Sequence, residues 1–295
     1  MVLLCVVFIG FRVIGDPVSI VLGWEASEQR KIQVRKNLGL DDPLHVQFTR
    51  FAGDIARGDF GDSFWQHKPT LPLVIDRLPA TFYLSGVAMA IVLVLAVPLG
   101  AIAALKPRSL VDRLINVVAL GGVSIVQFWL ALMFILLVAV QLGWLRTSGY
   151  GGYQYVILPA LTLAYPLIGQ ISQLTRSAML DELSKPYIKA ARAKGLSETR
   201  IVFTHALKNA AIPIITIFGG AIGSLLNGAI VVETVFGWPG IGQLTIQAFQ
   251  QRDLPLVEAT VFVIAVMIIV TNLLVDLSYT YLNPRIRFQG FADES

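Results

Sequence analysis

The residues of this sequence best placed to do chemistry are set out for contact rather than for reaction. They run Pro186-Tyr-Ile-Lys-Ala-Ala-Arg-Ala-Lys-Gly195-Leu-Ser-Glu-Thr-Arg-Ile-Val-Phe-Thr-His-Ala-Leu-Lys208, polar and rich in Lys and Arg, between long apolar segments. The pattern predicts a short helix over Tyr187 to Lys194. Gly195 then stands at the C′ position, where a left-handed residue without a Cβ ends a helix. Ser197 is placed to N-cap a second helix from Glu198. Ala190, Ala191 and Ala193 keep the first helix slim, although helix propensity alone also accounts for alanines here. Ala191, Gly195 and Ile201 share the spacing of a DNA-reading helix-turn-helix. The basic charge by itself fits a loop of any polytopic protein.

Nothing else in the chain assembles a reaction centre. The three histidines (His45, His67, His205) lack metal-ligand spacing, so neither a metal site nor a catalytic set is assigned. Cys5 is the single cysteine, which leaves no intrachain disulfide to form. No Walker A pattern occurs, and ATP binding by that route is excluded.

The elements that must hold the basic stretch are membrane spans. Of 295 residues, 55% are hydrophobic and 14% charged, with mean hydropathy +0.70. Soluble domains carry about 25% charged residues, so the chain reads as an all-α, polytopic membrane helix bundle with six transmembrane spans. Met1 to Ile14 is a first span that lacks its normal beginning, since 14 residues reach only about 21 Å of the roughly 30 Å core. Residues 15–77 are polar and mixed in charge and form an extracytoplasmic region, with an amphipathic helix over Ala26 to Leu38. The remaining spans are Thr81–Leu105, Leu114–Leu142, Val156–Leu174 (broken by Pro159 and Pro166), Ile212–Val232 and Val257–Ser278. Gly143–Tyr155 and Glu233–Leu256 are read as loops. Residues 78–287 make up the transmembrane domain, residues 176–210 its large basic loop, and residues 288–295 a tail.

Positive charge gathers at 106–113, at 175–210 and at Arg285 and Arg287, whereas the loops at 143–155 and 233–256 hold one arginine each, Arg146 and Arg252. The positive-inside rule places the first group, and both termini, in the cytoplasm. A helix-turn-helix tied at both ends to spans cannot reach a duplex, so nucleic acid is not a partner.

Within the spans, Gly219, Gly220 and Gly223 offer a small-residue packing face. Gln127 and Asn227 are polar groups deep in spans, facing the bundle interior by default, where they line a path or hydrogen-bond between helices. Asp276 lies near the cytoplasmic end of the last span.

Read over nearly its whole length, the chain resembles the permease subunits of dipeptide and oligopeptide ABC importers. The shared phrases include Gly15-Asp-Pro17, Leu38-Gly-Leu-Asp-Asp-Pro43, Gly58-Asp-Phe-Gly61, Arg77-Leu-Pro-Ala-Thr81 and Leu142-Gly-Trp144. Ala191-Arg-Ala-Lys-Gly195, Glu233-Thr-Val-Phe236, Trp238-Pro-Gly-Ile-Gly242 and Pro284-Arg-Ile-Arg287 continue the match in order. The family's loop motif is Glu-Ala-Ala, three residues, Gly, nine residues, then Ile-x-Leu-Pro. Here Lys189-Ala-Ala191, Gly195 and His205-Ala-Leu-Lys208 occupy those places, similar to the peptide subfamily's version. Two departures bear on local geometry: the first span is short, and Val126 stands where the family pattern has proline.

The resemblance implies a type I ABC importer permease fold in a bacterial inner membrane. It implies a second homologous permease, two ABC ATPase subunits, an extracytoplasmic substrate-binding protein and the lipid bilayer as partners. This chain would bind no cofactor, ATP and Mg belonging to the ATPases, and would move peptides by alternating access. Tyr187, Lys189, Ala190, Ala191, Ala193, Gly195, Leu196, His205 and Leu207 would form the ATPase-coupling loop. Gln127 and Asn227 would line the path. Glu233, Trp238, Pro239 and Gly240 would gate the outer mouth or meet the binding protein; their plainer reading is an interfacial turn anchored by Trp. Nickel, glutathione or another small solute is the alternative cargo. A secondary transporter or channel is the alternative class, and it calls for mid-membrane ionisable residues; Glu258 and Asp276 sit near span ends instead.

Overall fold

The computed structural model describes residues 41–282, together with Cys5, Phe8, Ile9, Val18, Ser27, Gln29, Ile32 and Arg35. The expected first span (1–14), the amphipathic helix at Ala26–Leu38 and the tail with Arg285 and Arg287 therefore lie wholly or mostly outside the described residues. Among the described residues every regular element is helical, and the only extended pairing is an isolated bridge between Asp62 and Pro69.

In chain order the helices are α1 (Leu44–Ala56), α2 (Thr70–Ile75), α3 (Leu78–Leu105), α4 (Leu110–Ser124) and α5 (Gln127–Phe134), which runs into a π-helical stretch, Ile135–Gln141. Then come α6 (Tyr153–Ser184), α7 (Pro186–Ala193), α8 (Glu198–Arg200), a second π-helical stretch, Ile201–Ala206, and α9 (Leu207–Phe236). The last two are α10 (Ile241–Gln250) and α11 (Leu254–Leu282). Three continuous segments are long and apolar enough to cross a membrane: Thr70–Leu105, Tyr153–Ser184 and Leu254–Val275. Three bent helix pairs pass the same test jointly.

Four expectations need correction. The segment Leu114–Leu142 is not one helix. α4 and α5 meet at 111°, with Ile125 and Val126 both extended at ψ 131° and 128°. No proline is needed, because Gly121, Gly122 and Ser124 already weaken the helix end. Conversely, Pro159 and Pro166 do not break α6, which is continuous from Tyr153 to Ser184 and absorbs the last residues of the supposed loop before it. Burial along most of its length outweighs a proline penalty of about 3 kcal/mol. Glu233–Leu256 is mostly helix: α9 continues to Phe236 and α10 buries Ile241, Leu244 and Ala248 at helical spacing. Only Gly237 to Gly240 joins them.

The chain divides into two compact units. The first comprises Met1–Thr81 and Pro239–Met267. Its organising group is Asp253, fully buried, which accepts hydrogen bonds from Ser63 Oγ at 2.5 Å, Trp65 N at 3.2 Å and, through its other oxygen, Leu256 N at 3.3 Å. One carboxylate thus caps the start of α11 and pins the turn that precedes α2. Thr81 Oγ1 accepts from Ile241 N at 3.0 Å, tying α10 to the first turn of α3. This unit also contains an open cavity of ≈ 670 Å³ between α1, the Asp59–His67 turn and Pro255–Glu258.

The second unit comprises Phe82–Trp238 and Ile268–Ser295. α6 is its most buried helix, with α4 and α9 packed on it. The α4–α6 approach depends on missing side chains. A Cβ on Gly122 would stand 2.6 Å from the Tyr165 carbonyl oxygen, and one on Gly169 would overlap that of Ala119.

Candidate functional site

The basic loop folds as its residue types dictate. Lys185 is extended, Pro186 opens α7 at a position where its missing N–H is not needed, and the helix ends at Ala193. Gly195 has φ +77°. Its N–H donates to Arg192 O at 2.9 Å and Leu196 N–H donates to Ala191 O at 3.3 Å, the two bonds of a Schellman turn. Ser197 occupies the N-cap position of α8, but its side chain makes no capping bond. Arg192 instead bridges the turn, donating from Nε and Nη2 to the two Glu198 carboxylate oxygens at 2.7 and 3.2 Å.

Ile188 is the buried anchor of α7. Tyr187, Lys189, Ala190, Ala193 and Gly195 are exposed, whereas Ala191, Leu196, His205 and Leu207 are half-buried. Ile201, Val202 and Ala206 fasten the π-helical stretch from beneath, leaving Phe203 60% exposed. Of the nine predicted coupling residues, five therefore belong to the exposed surface of this basic loop, as does Phe203.

Two polar clusters hold this surface. The Tyr187 hydroxyl donates to Glu182 Oε2 at 2.7 Å and accepts from Asn209 Nδ2 at 2.9 Å, joining the end of α6 to the start of α9. Lys185 Nζ donates to Glu182 Oε1 at 2.5 Å. Burial pushes the Tyr187 phenol above its ordinary pKa, and the Glu182 carboxylate holds Lys185 above its own, so both remain donors at neutral pH. Earlier in α6, Arg176 forms a two-pronged ion pair with buried Asp112, Nε to Oδ1 at 2.6 Å and Nη2 to Oδ2 at 2.8 Å.

Gln127, first residue of α5, lies with its amide against α9: a Cβ on Gly228 would stand 3.1 Å from Gln127 Oε1. Asn227 is the residue before Gly228 in α9; its side chain, like that of Asp276, falls outside the described residues. Gly223 lies beside Asn272 of α11, with 2.9 Å between a Cβ there and Asn272 Oδ1.

This arrangement of broken spans around a helix–Gly–helix loop has known counterparts. The model of the binding-protein-dependent transport system inner membrane component matches residues 96–288, and that of its N-terminal region matches residues 1–85. The chain belongs to this family. It is an ABC importer permease subunit, not an enzyme, in a bacterial inner membrane. The glutathione transport system permease protein GsiC of Salmonella paratyphi A (strain ATCC 9150 / SARB42) is 40% identical over 275 residues, 93% of this chain and 90% of that protein. GsiC of Escherichia coli (strain K12) is 38% identical over the same shares. Among solved structures, an inward-facing MetNI methionine ABC transporter superposes with TM-score 0.60 at 16% identity, covering 72% of this chain and 96% of that one. An amino acid ABC transporter with histidines gives 0.56 at 17%, covering 71% and 94%. The likeness shows that the permease shares their fold.

At the other end of α9 in the permease, Glu233 and Trp238 are buried, Pro239 is half-buried and Gly240 starts α10. Gly237 ends α9 at φ +59° in a second Schellman turn, with Trp238 N–H donating to Glu233 O at 2.8 Å. Trp238 packs between Tyr83, stacked at 6.1 Å, and Tyr150, edge-on at 4.9 Å. The exposed rings here are the two tyrosines, and Glu233 and Trp238 lie beneath the surface.

Sequence reasoning passed over Asp112, Glu182 and Asn209, and read Arg176 only as one cation of the basic loop. A trace of Asp112 was present, since Ser109 and Asp112 have capping-box spacing and Ser109 Oγ accepts from Asp112 N at 3.2 Å. Its partner on α6 left no local signal.

Proposed function

We propose that this permease carries short peptides inward, with glutathione, itself a tripeptide, as the first cargo to test. The support is the length and level of identity with glutathione permeases. Nickel or another small solute is the alternative cargo. In this reading Tyr187–Leu207 is the surface on which two ATPase subunits act, and ATP and Mg bind to them alone. A second permease completes the pathway, and a binding protein delivers cargo at the extracytoplasmic side, where residues 15–77 lie. Both termini are cytoplasmic.

The observation that carries the ATPase contact is the outward face of α7. Lys189, Ala190, Arg192 and Ala193 are exposed while Ile188, Tyr187–Glu182 and Tyr187–Asn209 hold it to two long helices. Slim residues admit a close partner, and rigid anchoring lets a push on the loop reach the spans. Gln127 beside Gly228 is the assigned pathway constriction, together with Asn227. The Glu233–Gly240 corner is the assigned outer gate.

The test is uptake of labelled glutathione and of di- and oligopeptides in a deletion strain carrying either the native gene or Gly195→Asp. Restoration by the native gene alone, at equal membrane levels, supports ATP-coupled import. Equal restoration by both removes the coupling assignment and favours a secondary transporter. Uptake by neither directs the search to another solute.

A further inference from the structure

We propose that α4 and α6 act as one rigid lever and that the buried Asp112–Arg176 pair is its positioning joint, carrying motion of the coupling loop to the bend before Gln127. The inference rests on the ATP-coupled reading above. Asp112 stands in the first turn of α4 with a side chain 5% exposed. Besides the two bonds from Arg176, its carboxylate accepts from Arg108 N at 2.8 Å and Asn116 Nδ2 at 2.7 Å. Four donors fix both oxygens, so α6 cannot slide along α4 without breaking a charged, mostly dehydrated contact.

The same two helices interlock twice more. Tyr165 Oη donates to Val118 O at 2.9 Å, and the Gly122 and Gly169 backbones approach too closely for any Cβ. Interior packing of this kind does not deform smoothly, so a displacement of α6 takes α4 with it.

The two ends of this body meet different structures. Six residues beyond Arg176, about 9 Å along the helix, Glu182 holds the Tyr187 hydroxyl and, through it, Asn209 of α9. At the far end of α4 the chain turns through 111° into α5, and Gln127 rests on Gly228 of that same α9. The coupling loop thus grips α9 at Asn209, while Leu163 of α6 and Gln127 beyond the bend both meet it again at Gly228. Any motion of the lever relative to α9 is read out at Gln127. A pair that merely stabilised the fold would have no such directional consequence.

The experiment uses the assembled transporter, purified with its partner subunits through a tag on this chain and placed in lipid nanodiscs. In a Cys5→Ser background, a nitroxide at Val126→Cys reports mobility at the bend with and without ATP and vanadate. Asp112→Asn and Arg176→Lys are then compared with this parent. The expected result is ATP hydrolysis within about twofold of the parent and a nucleotide-dependent spectral change reduced about tenfold, within the range that site-to-site coupling spans. An undiminished spectral change in the variants overturns the proposal. So does a parallel fall of hydrolysis and spectral response, which is the mark of static packing. Arg176→Lys keeps both charges and decides the matter if Asp112→Asn fails to assemble; failure of both to assemble makes the pair a folding element and also overturns it. A parent with no nucleotide response refutes the ATP-coupled reading itself, a distinct outcome.

Discussion

At Gly195 the backbone sits at φ +77° with no atom within 4 Å of where a Cβ would stand. Space is not what excludes other residues there. The left-handed conformation is, at roughly 1 kcal/mol for an ordinary side chain and more for a β-branched one. Transport is expected to fall in the order Gly, Asn, Ala, Val at position 195, measured as initial uptake at matched membrane levels. A size-ordered series with Asn below Ala would show a steric constraint imposed by the partner instead. Tyr187 makes a second prediction at this scale. Tyr187→Phe removes both bonds that join Glu182 to Asn209, about 1 kcal/mol each. Trypsin is then expected to cut faster at Lys189, Arg192 and Lys194 in inside-out vesicles. Because burial holds the phenol above its ordinary pKa, the native cutting pattern is expected to be flat across neutral pH. Unchanged cutting in Tyr187→Phe would assign the anchoring to Ile188.

For the elements, α4 and α6 supply a contrast with a built-in control. A methyl at Gly169 has to displace the Ala119 carbonyl, and one at Gly122 that of Tyr165, and both are backbone atoms. Overpacking of this type destabilises by about 1–3 kcal/mol. Gly53, in α1, has open space around its Cβ position. Gly169→Ala and Gly122→Ala are expected to lower the thermal midpoint of the detergent-solubilised complex, while Gly53→Ala leaves it unchanged or raises it slightly. Equal midpoints for all three would show that α4 and α6 separate at little cost. Apolar composition marked these segments as membrane spans. It gave no sign that Leu114–Leu142 would bend at Ile125 and Val126, or that Pro159 and Pro166 would be carried inside an unbroken α6. Those outcomes depend on what packs against each helix.

Taken as a whole, the molecule leaves large apolar side chains exposed on α4 and α11, among them Leu114, Val117, Val123, Ile269, Leu273 and Leu277. Such faces suit lipid or another helix bundle and no aqueous surface. The chain purified alone in detergent is expected to be polydisperse and to melt without a sharp transition, whereas the assembled transporter melts cooperatively. A monodisperse, cooperatively melting single chain would refute this. Orientation is tested separately, since Trp65 and Lys194 are both exposed and lie on opposite sides in the proposed topology. An impermeant maleimide is expected to label Trp65→Cys in intact spheroplasts and Lys194→Cys only after permeabilisation. The reverse pattern would invert the topology.

Composition alone determined that this is a membrane bundle, because a chain with so few charges cannot clothe a water-exposed surface. Local chemistry determined the α7–Gly195 turn, since a Schellman cap needs only a glycine and the bonds of its own helix end. The Asp112–Arg176 pair joins residues 64 positions apart. Trp238 is buried by Tyr83 and Tyr150, which belong to other segments. Asp253 caps one helix while holding a turn 190 residues away. Nothing beside these residues in the chain announces their partners. Only the packing of helices brought the charges and rings together, because desolvation and hydrogen-bond geometry act through space and leave no periodic mark on the sequence.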